Sequence, residues 1–260
     1  MTNTKKRFLL TVSYDGTNYV GWQRQKNGLS VQQVLEEALE KLLGEPVRVT
    51  GASRTDAGVH ALGQRAHLDS ATGIPAEKLP FALNTMLPGD VRVLQGLRVP
   101  DSLHARFSVS GKTYRYQIHN SPHASALYRN LSAHVPVRLN ERRMDEACRV
   151  LLGTHDFAAF AAAGGSAKTT VRTITEIRVE RTGEEVFLTV SGNAFLYNMV
   201  RIIAGTLIDI GHGKLPPEAL QKALDTGDRL QLGVTAPPQG LTLMEVRYPE
   251  ASLLLPGDEQ

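Results

Sequence analysis

The segment "GASRTDAGVHA", residues 51–61, places one carboxylate, Asp56, two residues after a cation, Arg54, among small residues and glycines. A positioned carboxylate can take a proton from a substrate or attack it as a nucleophile. The same Asp-Ala-Gly is also an ordinary turn, because Asp bonds the backbone two residues on and Gly accepts positive φ. A reactive Asp in apolar surroundings would further need a cation, since burial disfavours its charged form. Separately, one charge lies inside an apolar run. Arg201 is the sole charged residue between Glu185 and Asp209, in the apolar run "FLYNMVRIIAGTLIDIG". An unpaired buried Arg is costly, so it must find a carboxylate or other acceptors.

Other chemistries fail on spacing. "SGKT", residues 110–113, resembles the end of a P-loop, but Arg106 stands where the pattern needs Gly and a strand follows instead of a helix. "GGSAKT" has Ala167 in place of the second glycine. There is no His-Glu-x-x-His, no cysteine pair and no Gly-x-Ser-x-Gly. The eight histidines are scattered, and the two of "HNSPH", His119 and His123, fall short of the four ligands of a closed zinc site. No metal is expected.

The elements that must position Asp56 follow from periodicity. The 260 residues suggest one large domain or two small ones, and 42% hydrophobic content suffices for packed cores. "KRFLLTVSY" is a strand. "SVQQVLEEALEKLLG" spaces Val31, Val34, Leu35, Ala38, Leu39 and Leu42 as a helix, with Ser30 as N-cap and Gly44 as stop. "PVRVTGAS" and "GQRAHLDS" are strands on either side of the Asp56 segment, "PAEKLPFALNTML" is a helix interrupted by Pro80, and "DVRVLQGLRV" is a strand. The second half repeats the order: strand "KTYRYQIHN", helix "NERRMDEACRVLLG" capped by Asn140 and stopped at Gly153, and a hairpin of "RTITEIRVER" and "EEVFLTVSGN" around Gly183. There follow the buried helix "FLYNMVRIIAGTLIDIG", a short added helix "PPEALQKALDTG" and the strand "LTLMEVRY". Two β-α-β-β-α-β units of the ferredoxin-like type result, an α+β fold with a mainly antiparallel sheet and a cleft between the halves as the expected site. The break near residues 100–111 divides residues 1–105 from 106–250, leaving 251–260 as a tail. "AAFAAAGGSAKTT", residues 158–170, is expected to be a loop.

The N-terminal apolar run is broken by Ser13, Tyr14 and Asp15, too short for a signal sequence, and no stretch approaches a membrane span. The single cysteine, Cys148, permits no intramolecular disulfide, so a reducing, cytoplasmic setting is expected. The net charge of +3 leans mildly toward an anionic partner.

"GASRTDAGVHALGQ" resembles the active-site motif of the TruA family of tRNA pseudouridine synthases. "YDGTNYVGWQRQ", "SLHARFSVSGKTYRYQIHN", "GTHDFAAF", "TVRTI" and "GNAFLYNMVRIIAGTLIDIG" resemble family segments in the family's order, from about Arg7 to Tyr248. The resemblance implies two fused ferredoxin-like halves, isomerisation of uridine to pseudouridine in the anticodon stem-loop of tRNA (positions 38, 39 and/or 40), no cofactor, and a homodimer with tRNA lying across both subunits. It makes Asp56 the reacting carboxylate, whether by attack on the base, attack on the sugar carbon or removal of a sugar proton. It makes Arg201 the cation that keeps Asp56 ionised; on the residues alone, a structural carboxylate would serve Arg201 as well. Arg54 would hold or replace the flipped nucleotide, Tyr114 would stack on the uracil, and Leu241 would cover it, with Leu243 the other match. His60 is expected to be structural. Two rivals predict other features. A two-module RNA binder needs strand aromatics and glycines in the pattern of RNA-recognition motifs, which "KTYRYQIH" does not supply. A small-molecule enzyme of the same fold is the other rival, since fold alone does not fix function; Asp56, Arg201 and Tyr114 favour the synthase over both.

Overall fold

The computed structural model describes residues 4–255, which divide into two compact units. Described residues up to Ser110 and from Leu243 onward form the first, and Gly111–Thr242 the second. Of the tail expected over 251–260, residues 256–260 lie outside the described residues, and Glu250–Ser252 form a 3-10 turn.

The first unit contains β1 (Lys6–Tyr14), α1 (Val31–Leu43), β2 (Thr50–Gly51), β3 (His60–Ser70), α2 (Leu79–Asn84) and β4 (Val91–Val99). β1 lies antiparallel between β4 and β3, β2 pairs with β3, and β10 (Leu241–Arg247) lies on the free side of β3. Phe8, Leu10, Val12 and Tyr14 alternate along β1 into the core, where Leu35, Leu39 and Leu83 are also buried. α1 starts where the Ser30 hydroxyl accepts the Gln33 N–H at 3.2 Å and stops at Gly44, φ 70°.

β2 is shorter than the strand expected over residues 46–53, for a reason visible on α1. Glu36 is fully buried, and its carboxylate accepts the Val49 N–H (3.0 Å) and the Gln32 side-chain amide (3.0 Å), with the Arg24 guanidinium at 3.2 Å. The Val47 and Val49 N–H groups and the Val49 carbonyl are thus met by helix side chains instead of a strand ladder. The buried charge is tolerated because it is paired and hydrogen-bonded.

The segment after β4 is pinned to the sheet. The Arg7 guanidinium grips Asp69 with two 2.7 Å bonds and donates to the carbonyls of Asp101 (2.7 Å) and Leu103 (2.8 Å). His67 Nδ1 accepts the Ala105 N–H (3.1 Å), and Tyr248 donates to the Ala105 carbonyl (2.6 Å). Burial, and then the nearby Arg7, push the His67 imidazole down to about 4. Its unfolded counterpart titrates near 6.5, so the unfolded chain binds the extra proton between those values. This contribution to stability is fully present above pH 6.5 and is lost as the pH falls toward 4. Unfolding free energy measured from pH 7 to 4.5 should fall more steeply in the wild type than in His67→Gln, by up to about 1.4 kcal/mol per pH unit. Parallel curves would exclude His67 as the source.

The second unit contains β5 (Gly111–His119), β6 (Ala133–His134), α3 (Glu141–Cys148), β7 (Gly153–Asp156), β8 (Val171–Thr182), β9 (Glu185–Gly192), α4 (Met199–Gly211) and α5 (Ala219–Thr226). The strand order is β5-β9-β8-β7, antiparallel throughout, with β6 parallel to β5. α3 packs on α4 and β8. Asn140 caps α3 by accepting the Arg143 N–H at 3.0 Å, and the β8–β9 hairpin turns at Gly183, φ 61°. β6 and β7, too short to show periodicity, extend the repeat. The loop expected over 158–170 carries a 3-10 turn at Ala158–Phe160. α4 begins at Met199 and not Phe195, because Asn198 adopts left-handed φ of 59°. The α+β class and the mainly antiparallel sheet stand as expected from sequence.

Candidate active site

The Asp56 loop connects β2 to β3 and is held from several sides within the first unit. Ala52 N–H donates to the Arg65 carbonyl (2.7 Å). Gln64, fully buried on β3, uses its amide as a second backbone: Oε1 accepts the Ser53 N–H (3.1 Å) and Nε2 donates to the Ser53 carbonyl (2.7 Å). Thr55 is buried, its hydroxyl 2.7 Å from the Tyr14 hydroxyl, and its carbonyl accepts the Trp22 N–H (3.1 Å). Asp56 forms an isolated antiparallel bridge with Gly21. Gly21 has φ 103°, and a Cβ there would lie 2.3 Å from the Thr55 carbonyl oxygen, so the residue must be glycine twice over.

From Asp56 the chain turns. Val59 N–H donates to the Asp56 carbonyl at 3.1 Å, and Gly58 in the third position has φ 76°, the requirement of a type II turn. The Asp-Ala-Gly segment is therefore a turn whose backbone is fixed on both sides. Asp56 is half-buried at its start, and Arg54 is exposed. His60 is buried and accepts the Gly16 N–H at Nδ1 (3.0 Å), which ties the start of the 15–29 loop to the same place.

In the second unit, Arg201 sits in the first turn of α4, half-buried. Its Nε donates to the Ala236 carbonyl (2.8 Å), its Nη1 to the Asn198 side-chain carbonyl (2.9 Å), and its own carbonyl accepts the Ala236 N–H (3.0 Å). Asn198 therefore spends its side chain on Arg201 and not on capping α4. The next residues of that segment reach β5: Tyr116 donates to the Pro237 carbonyl (2.8 Å), and Gly240 lies against the Tyr116 ring. Burial raises the Tyr116 phenol, opposed by the Arg201 charge. Tyr114, two residues earlier on the same face of β5, is buried and meets Phe195 edge-to-face, with ring centroids 5.2 Å apart. Leu241, at the end of the 236–241 segment, and Leu243 are both buried. The second unit thus gathers Arg201, the Tyr114–Tyr116 strand and the approach to Leu241, while the first presents Arg54 and Asp56 from one loop. Among the described residues no three His, Cys, Asp or Glu side chains are grouped to hold a metal ion, and no helix is long and apolar enough to cross a membrane.

The supports that periodicity passed over have a legible signal. Gln64 shares the β3 row of Ala66 and Leu68, so an amide stands where an apolar side chain belongs. Gln64→Leu keeps the bulk and removes both bonds to Ser53, a loss of about 1–3 kcal/mol. We expect a lower melting temperature and faster amide hydrogen exchange over residues 53–59; unchanged exchange there would show that loop shape is set without the amide.

The model of a family described as tRNA pseudouridine synthase matches residues 10–108 and 147–249. A tRNA pseudouridine synthase A of Ruminiclostridium cellulolyticum is 50% identical over 244 residues, covering 94% of this chain and 100% of that protein. One from a Thermoanaerobacter species is 47% identical over 243 residues (94% and 100%), and one from Acetivibrio thermocellus 48% over 239 residues (92% and 98%).

Proposed function

The chain belongs to the tRNA pseudouridine synthase family, and from that premise we infer that Asp56 is the group that acts on the nucleotide. The protein isomerises uridine in tRNA to pseudouridine. The N1–C1′ bond breaks, the base turns, and C5 bonds to C1′; the C5 hydrogen leaves as a proton and N1 gains one, with no net redox change. Attack on the base, attack on C1′ and removal of a sugar proton are the three steps open to a carboxylate here, and each requires it ionised. The observation that supports Asp56 is the fixation of its loop: the residues before and after it are bonded through their backbone, so the carboxyl is aimed without an ordering cost at each turnover.

In this proposal Arg201 supplies the charge that keeps Asp56 ionised, with Asn198 and Ala236 holding its guanidinium in one orientation. The target base must leave its stack to be reached. Tyr114 stacks on it, Leu241 covers it, and exposed Arg54 holds the displaced nucleotide. The substrate is placed in the anticodon stem-loop, positions 38, 39 and/or 40, and the working form is a homodimer in the cytoplasm. The test is tRNA transcribed with uridine tritiated at C5. Isomerisation must release tritium to water in proportion to pseudouridine formed; bound tRNA with no release would leave an RNA-binding protein and not an enzyme.

A further inference from the structure

The sequence motif "SLHARFSVSG" ends in a feature that the chemistry above does not use. Phe107 is 77% exposed in the first unit, yet its ring is backed and fixed. The His104 imidazole lies 4.4 Å from it, tilted by 30°, and His104 in turn meets His67 edge-on at 4.9 Å. The exposed Arg106 guanidinium stands 5.8 Å from the Phe107 centroid, and among the described residues no carboxylate is seen to pair with it.

The turn that carries these rings is closed by its own bonds. His104 Nδ1 accepts the Arg106 N–H (3.1 Å), the His104 carbonyl accepts the N–H groups of Phe107 (3.1 Å) and Ser108 (2.9 Å), and the Ser108 hydroxyl accepts the His104 N–H (3.0 Å). Below it, Ala105 is anchored to His67 and Tyr248, as described above. With Nδ1 accepting, the His104 ring is neutral; burial, and then Arg7, lower its affinity for a proton.

We propose that Phe107, backed by His104 and flanked by Arg106, is a stacking platform for a nucleobase of the tRNA other than the one that reacts. A flat apolar face beside an exposed cation matches a nucleotide, which offers a π-face and a phosphate together. Such stacking tolerates any base, so the platform grips the fold of the tRNA and not its sequence. Because the ring is held before the RNA arrives, little side-chain freedom is lost on binding.

This inference rests on the tRNA-modifying reading, and its test separates the two. Wild type, Phe107→Ala and Phe107→Trp are compared on unmodified tRNA transcript for Kd, for kcat and KM in tritium release, and for sedimentation without RNA. We expect Phe107→Ala to raise Kd and KM by roughly 5- to 150-fold with kcat unchanged, and Phe107→Trp to restore both. An unchanged Kd in Phe107→Ala overturns the platform while leaving the enzyme intact. An altered sedimentation coefficient or a lower melting temperature in Phe107→Ala also overturns it, because Phe107 would then serve a protein contact. Absence of tritium release from the wild type would instead strike the functional reading.

Discussion

Asp56→Asn should bind tRNA as tightly as the wild type and release essentially no tritium from C5-labelled uridine. The amide keeps the shape of the side chain but has neither the charge nor the basicity that each available first step demands. The backbone bonds at Ser53, Thr55, Asp56 and Val59 that hold the loop are untouched by the substitution. The loss should be at least about 10²–10⁴-fold, the scale of a missing proton-transfer group, and larger if the carboxylate is a nucleophile. Turnover within tenfold of the wild type would remove Asp56 from the mechanism. Unchanged tRNA affinity is the control that keeps a folding defect from imitating the result.

The second large effect belongs to Arg201. Its guanidinium donates in two directions, from Nε to Ala236 and from Nη1 to Asn198, and a planar fork is required to do both. Arg201→Lys keeps the charge and loses the fork. A rate loss of roughly 10–150-fold is expected, the equivalent of one charge-assisted hydrogen bond. Arg201→Leu should lose more, and its residual activity should rise toward higher pH. On the proposal that Arg201 is the counter-charge of Asp56, its removal leaves desolvation of the carboxyl unopposed, and the ionised fraction at a given pH falls. The acid limb of the pH–rate profile should therefore move upward relative to the wild type. An unmoved limb, with Arg201→Leu folded and binding tRNA, would leave Arg201 as a brace for the 236–241 segment and a different group as the counter-charge.

The repeated β-α-β-β-α-β order was legible because each long element carries its period on its surface. α1, with Ser30 and Gly44 at its ends, and β1, with its apolar residues buried, follow directly from the spacing of apolar side chains. β2 was overestimated because the bonds that replace its ladder come from Glu36, a residue that periodicity assigns to the solvent side of α1. β6 and β7 were invisible since two and four residues cannot show a period. The late start of α4 depends on one dihedral angle, that of Asn198, for which the sequence holds only a tendency of Asn to accept it. At the site, Asp56, Arg54 and Arg201 stood out as charges in unusual company. Gln64, Tyr14 and Asn198 did not, because what matters about them is which backbone atom or side chain they reach, and that is decided by the fold.

Trp22 is the chain's single tryptophan, and it sits against the loop that matters most. It is 3% exposed, its indole lies over Gly51 at the entry to the Asp56 loop, its ring centroid is 6.0 Å from that of Tyr14, and its backbone N–H donates to the Thr55 carbonyl. The intrinsic fluorescence of the native protein is thus a reporter installed beside the Asp56 loop. Excited selectively, one indole reads the polarity and quenching at that loop with no background from elsewhere in the chain. Stopped-flow emission during mixing with tRNA would time any rearrangement of the loop separately from chemistry, in unlabelled, unsubstituted protein.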